Sequence, residues 1–336
     1  MLPRSLTGAA FAALFTLPTH VSAALSAQTG YAAFSIYAHT TSDSIISYDW
    51  DAAANLHYMT LAGFLDVNIW RTTGSTPFNI YAAPSNFSGA SVVAIGDYVY
   101  FNDSDFSNTQ FIRGYAAAAV APVVTAFSTT PNSGLYGHNG DLLITGTDGG
   151  FGDNQIYFSD LAGDGDLLND PALNLGTTGG GSGPLAFDLA GNLYYAPGFR
   201  DPSIYKFTAA EVAAAIAGTT LLTAASHLWL DYALLYPNFM GATSLLLDAE
   251  GDLLATLTNL NGSSALAEFG TGPGGAHDGS NTLILTDSGR IGELRSLNGD
   301  IFVSSGNQIY QVVPEPAAAL LLALGGTAFA LRRRRS

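Results

Sequence analysis

The chain contains no cysteine, which excludes disulfides, thiolate metal sites and a cysteine nucleophile. Lysine is nearly absent too, with Lys206 the single example. Charged residues are 11% of the 336 positions, against about a quarter in ordinary soluble domains. Salt-bridged surface helices are therefore not the expected building material. No Gly-x-Ser-x-Gly elbow marks a hydrolase nucleophile. The six histidines (His20, His39, His57, His138, His227 and His277) include no pair with zinc spacing. They read as single, hydrogen-bonded side chains. The Gly-rich run 176–183 has no lysine and precedes a strand pattern, so it reads as a loop and not as a phosphate cradle.

What the chain does have is glycine (38 residues) and 48% hydrophobic residues, a composition that suits many short strands joined by tight turns. Between positions 24 and 313 lie six basic residues (Arg71, Arg113, Arg200, Lys206, Arg290, Arg295) and 26 acids, a net charge of −20. That field repels phosphate backbones and anionic membranes, which argues against nucleic-acid partners, and it keeps an exported domain soluble.

The two ends look like addresses. Residues 1–23 have the parts of a secretory signal peptide: Arg4, an apolar stretch over 6–17, and Val21-Ser22-Ala23, which predicts cleavage after Ala23. At the other end, Pro314-Glu315-Pro316 precedes fifteen uncharged residues, 317–331, and then Arg332, Arg333, Arg334 and Arg335. As a helix the apolar part covers roughly 22 Å against a hydrocarbon core of about 30 Å. The arginines would stop it on the cytoplasmic side.

Tripeptide, short apolar helix and terminal arginines, in that order, resemble the PEP-CTERM sorting signal of Gram-negative bacteria. The resemblance covers residues 313–336 only. It implies an inner-membrane intermediate, processing by signal peptidase and by an exosortase near Pro314-Glu315-Pro316, and delivery to the cell surface or extracellular matrix, in association with exopolysaccharide. The chain then divides into 1–23, a body over 24–312, and the signal over 313–336.

The body repeats itself. Each unit reads as a strand, a Gly-centred turn, a second strand, a polar loop and a third strand. The turns are Ile95-Gly96-Asp97, Asn139-Gly140-Asp141, Ala190-Gly191-Asn192, Glu250-Gly251-Asp252 and Asn298-Gly299-Asp300. The third strands begin at Gln110, Gln155, Ser203, Ala265 and Gln308. Spacings of 44, 51, 60 and 48 residues between glycines match one four-stranded propeller blade each. A sixth copy is expected at the start, with 34–39 and 44–48 as a hairpin. Asn86-Phe87-Ser88-Gly89-Ala90-Ser91 recurs 152 residues later as Asn238-Phe239-Met240-Gly241-Ala242-Thr243. If that is three units, the ring has six. The segment 208–218 reads as a short helix with a Thr208/Glu211 capping box, and 51–63 as its counterpart. The expected fold is all-β, a six-bladed propeller; seven blades or a β-sandwich are the alternatives.

Asp160, Asp164, Asp166 and Asp170, with Gly165 between two of them, form the best metal candidate, a loop able to wrap Ca²⁺. It resembles the Asp-rich loops of surface propellers that carry this tail. Ala162 and Pro171 occupy positions where ligands are normally found, and the rival reading is a solvated acidic loop. Asn102-Asp103-Ser104-Asp105 reads as the comparable loop of the preceding unit, and Gly149-Gly150-Phe151-Gly152-Asp153 as flexible backbone; both are expected to be solvated. The function expected is non-catalytic binding or structure at the surface. The alternative is a metal-dependent lactonase or hydrolase, which requires Glu, Asn and Asp converging on the propeller axis. With five glutamates in the whole chain, no such set is assignable from sequence.

Overall fold

Why strands dominate follows from their burial. In Leu56–Ala62 six of seven residues are buried, and in Leu253–Thr258 five of six. Such strands are buried on both faces, which is stable only where another sheet covers each face. The computed structural model describes residues 25–314, apart from 63–64, 74–75, 85–86, 105–109, 120–123, 129–131, 148–152, 162–171 and 260–261. The described residues form six sheets arranged as the blades of a propeller, antiparallel except where Leu222–Thr223 adds to Leu173–Thr177 in parallel at the outer edge of the third.

The first blade runs from an innermost strand, Ser44–Trp50, through Leu56–Ala62 and Leu65–Thr72 to Pro77–Ala82. The next four blades repeat this order from innermost strands Val92–Ile95, Gly134–His138, Leu185–Phe187 and Gly241–Leu247. The sixth blade uses Ile291–Leu297, Asp300–Ser305 and Gln308–Pro314, and takes its outermost strand, Tyr31–Ala38, from the other end of the chain. Tyr31 sits opposite Pro314 and Ala38 opposite Gln308. Each innermost strand packs against the next, and the last returns to the first.

The apolar core is correspondingly divided. Six clusters of buried side chains occupy the six gaps between blades, for example Met59, Val67 and Ile69 against Val99, Phe101 and Tyr115 between the first and second. At about 1.5–3 kcal/mol per buried large side chain, these wedges supply the driving force for closure.

The five predicted turns all join innermost to second strands. Gly96, Gly140, Gly191, Gly251 and Gly299 have φ between 56° and 91°, as a tight hairpin requires. The five predicted third strands are third strands. The 152-residue repeat relates the approaches to the second and fifth innermost strands, three blades apart. The 60-residue spacing reflects an insertion: helix α1, Ala209–Ile216, sits in the fourth blade with its Thr208/Glu211 capping box formed.

Three expectations need correction. Residues 34–39 and 44–48 do not form a hairpin: Tyr31–Ala38 pairs with the last strand of the sheet closed by the C-terminal segment, and Ser44–Trp50 opens the first blade. In the segment 51–63 the described residues, 51–62, are a turn followed by strand Leu56–Ala62, not a counterpart of α1. Asn102 and Asp103 are strand residues, 4% and 0% exposed, not a solvated loop. Asn102 Oδ1 accepts the backbone N–H groups of Ala90 and Ser91, while Asp103 Oδ2 accepts from Tyr81 and Arg113.

Candidate functional site at the propeller axis

Successive strands alternate in direction, so the innermost-to-second turns lie at one end of the ring and the segments leading into the innermost strands at the other. Each innermost strand also leaves an unpaired backbone edge toward the axis, which must be satisfied. Side chains from neighbouring blades do this. Ser47 Oγ accepts the Val92 N–H at 2.9 Å, and Asp49 Oδ2 accepts that of Ala94 at 3.0 Å. Ser91 Oγ donates to the Leu135 carbonyl, and Thr243 Oγ1 to that of Ile291, each at 3.0 Å. Ser91 and Thr243 are equivalent positions of the 152-residue repeat. Ser244 Oγ accepts the Leu294 N–H at 3.0 Å.

The sixth blade places two charges among these groups. Glu293, 6% exposed, accepts from Ser244 Oγ on Oε1 at 2.9 Å and from Ser47 Oγ on Oε2 at 3.2 Å. Arg295 pairs with Glu293 Oε1 at 3.0 Å and lies 3.7 Å from Asp49 Oδ1. Its guanidinium also donates to the carbonyls of Tyr48 and Val92, at 3.1 and 3.2 Å. One glutamate and one arginine thus link the fifth, sixth, first and second blades. Glycine at Gly292 lets the blades approach, because a Cβ there would lie 2.4 Å from Ser304 Oγ and 3.0 Å from the Ile46 carbonyl.

Burial pushes the Glu293 carboxyl above its ordinary range, against the pull of Arg295 and the two serines. Burial also works to discharge Arg295, but Glu293 and Asp49 outweigh it and raise the guanidinium's pKa. Tyr136 of the third blade is raised by burial, with Glu293 adding to the effect. Chemically, this group is a hydrogen-bonded ion pair with its acceptors already occupied. Among the described residues no cluster of three or more His, Asp or Glu side chains forms a metal site.

Of the sequence-predicted sites, Asp160 lies at the end of Gln155–Ser159, toward the turn end, where the neighbouring Leu161 N–H donates to Asp141 at 3.3 Å. Asp164, Asp166 and Asp170 lie outside the described residues, as do 149–152, Ala23, Glu315, Pro316, the 317–331 segment and Arg332 to Arg335. Among the described residues no helix is long and apolar enough to cross a membrane. Pro314 is the last residue of the strand Gln308–Pro314. The sheet therefore reaches the first residue of the tripeptide.

Among the described residues the histidines stand apart from one another, and not all of them are satisfied. His57 bonds through both ring nitrogens to Tyr115 and Asp51. His39 bonds Tyr58 through Nδ1 at 2.9 Å, and its buried Nε2 has no partner.

No family model matches the sequence, and no curated protein matches it. Solved structures are similar in fold. A Trichoderma reesei carbohydrate-active enzyme of family AA12 superposes with a TM-score of 0.56 at 12% identity, covering 90% of this chain and all of that one. The aldose sugar dehydrogenase of Streptomyces coelicolor, in its PQQ-bound form, gives 0.54 at 11%, covering 85% and 99%. A luciferin-regenerating enzyme gives 0.58 at 10%, covering 84% and 95%. At these identities the likeness is one of fold.

Proposed function

We propose that this chain is an exported, non-catalytic propeller that an exosortase sorts through its C-terminal signal to the cell surface or extracellular matrix, where it associates with exopolysaccharide. The observation that carries the reading is the axial ion pair. Propeller enzymes that use a metal need carboxylates free to ligate it, whereas here the Arg295 guanidinium stands between Glu293 and Asp49 and both Glu293 oxygens are hydrogen-bonded. A metal entering would have to displace a resident cation that is held by four contacts, at the cost of leaving a buried guanidinium unpaired. The sorting signal, signal peptide and strongly acidic body supply the address. Similar folds that act on sugars make a carbohydrate partner reasonable, and they keep a propeller hydrolase or oxidoreductase as the rival reading.

The full chain, purified in mild detergent, separates the two. Metal analysis, turnover of lactone, ester and aldose substrates, and a pull-down on exopolysaccharide should be run together. Polysaccharide retention without metal or turnover is the expected result. A stoichiometric metal with lactone, ester or aldose turnover, lost in Glu293→Gln, would overturn the proposal.

A further inference from the structure

The inner hairpins of the third and sixth blades are one turn built twice. His138-Asn139-Gly140-Asp141 joins Gly134–His138 to Asp141–Gly146, and Leu297-Asn298-Gly299-Asp300 joins Ile291–Leu297 to Asp300–Ser305. In each, the ladder closes on the flanking pair, His138 opposite Asp141 and Leu297 opposite Asp300, so asparagine and glycine are the two turn residues. Their backbones agree: φ is 54° at Asn139 and 55° at Asn298, then 91° at Gly140 and 85° at Gly299. All four residues are exposed to solvent. Neither glycine has a neighbouring atom within 4 Å of where a Cβ would stand, so both turns are open on that side. The two differ in one residue. In the third blade His138 Nε2 lies 2.9 Å from Asn139 Nδ2, and the ring is stacked on Phe187 of the fourth blade, with centroids 3.6 Å apart and planes 15° from parallel. The sixth blade has Leu297 at that place, which has no proton to give.

We propose that Asn139 is a site of self-catalysed deamidation, and that His138 makes it the faster of the two turns. The electrophile is the side-chain carbonyl carbon of Asn139, and the nucleophile is the backbone nitrogen of Gly140. Glycine lets the backbone swing that nitrogen inward at little steric cost. The nitrogen attacks Cγ and gives up its proton to water. The Cγ–Nδ2 bond then breaks, and Nδ2 leaves as ammonia after taking one proton from the imidazolium form of His138, which is restored from water. One water molecule opens the succinimide at either carbonyl, leaving aspartate or isoaspartate at position 139. The sum is amide plus water to acid plus ammonia, with no change of oxidation state. An amide nitrogen leaves poorly until it is protonated, so a proton donor fixed beside it lowers that barrier. A positioned general acid contributes roughly 10²–10⁴-fold in an enzyme site, and about tenfold is expected for a surface amide. Each event adds one negative charge beside Asp141 and, in the isoaspartate product, one methylene to the hairpin backbone. The site is independent of the C-terminal signal and of the axial ion pair.

The test is a timed incubation of the full chain, purified in mild detergent, in neutral buffer made with isotopically labelled water. Mass spectrometry of peptides spanning each turn reads the conversion of amide to acid, and the label excludes conversion during digestion. Asn139 is expected to convert about tenfold faster than Asn298 in the same sample. His138→Leu gives the third blade the turn sequence of the sixth and should bring Asn139 down to the rate of Asn298. His138→Gln should do the same, because it keeps a polar side chain but has no proton to cede. The quantity read is the ratio of the two sites, so any general loosening of a variant cancels, and the ratio in the unsubstituted chain needs no variant to fold. Equal rates at the two turns of the unsubstituted chain, no conversion at Asn139, or a ratio unchanged in His138→Gln overturns the proposal.

Discussion

His57 is fully buried and bonded at both nitrogens, to Tyr115 Oη at 2.8 Å and Asp51 Oδ2 at 3.1 Å, so it ties the first blade to the second. Burial depresses its pKa below the ordinary 6.5, with Asp51 opposing, and burial depresses His39 and His138 as well. The unfolded chain therefore binds these protons more readily. Their contribution to stability is complete above about pH 6.5 and is lost as the pH falls below it. Burial raises Asp248 and Glu268; these carboxyls act in the opposite sense, favouring the folded state as they take up protons at lower pH. The expected outcome is a melting temperature that falls between pH 7 and pH 5.5, with a shallower fall in His57→Gln; a flat profile in the unsubstituted protein would refute it. Residues of this kind are hard to read in advance. Glu293 and Arg295 did leave a trace, since two opposite charges stand at i and i+2 between the apolar residues Ile291, Leu294 and Leu297. What made them axial was their position in the last blade, which depends on the ring being closed.

Among elements, the turns were the most legible because the backbone demands a residue type. Three of them share one geometry: Asp51, Asp188 and Asp248 each accept, on Oδ1, the N–H groups two and four residues later. Gly191 and Gly251 then take φ of 83° and 91°, and at the matching place in the first blade Ala54 takes φ of 60°. That alanine hid the sixth turn from a search for glycine. A left-handed alanine costs roughly 1 kcal/mol or more, partly offset by the larger unfolded-state entropy of glycine. Ala54→Gly should therefore stabilise the protein by about 0.5 kcal/mol and Gly191→Ala should destabilise it by about 1 kcal/mol, measured by chemical denaturation. A loss in the first or a gain in the second would contradict the shared geometry. Outermost strands such as Thr125–Ser128 and Leu228–Asp231 were not legible. They are short, and Leu228–Asp231 is covered on only part of its surface, so no strict apolar period marks them.

For the molecule as a whole, six units were legible because the same turn and third strand recur, but the way the ring closes was not. Pairing of Tyr31–Ala38 with Gln308–Pro314 joins segments about 270 residues apart in sequence, and neither segment announces its partner. Deleting the chain up to residue 38 leaves Gln308–Pro314 as an open edge. The full chain is expected to unfold in a single sharp calorimetric transition, the deleted protein to lack it, and a peptide with the sequence of Tyr31–Ala38 to restore it. A sharp transition without the peptide would mean that the blades hold together unaided. The same pairing also sets a clock. Whether the chain leaves the ribosome or crosses a membrane, every blade but the last can form in turn, while the ring waits for residue 308 to arrive. Until then Tyr31–Ala38 is a free strand, and the chain stays loose enough to thread; the moment of locking is deferred to Gln308–Pro314, the strand that runs into the Pro-Glu-Pro tripeptide.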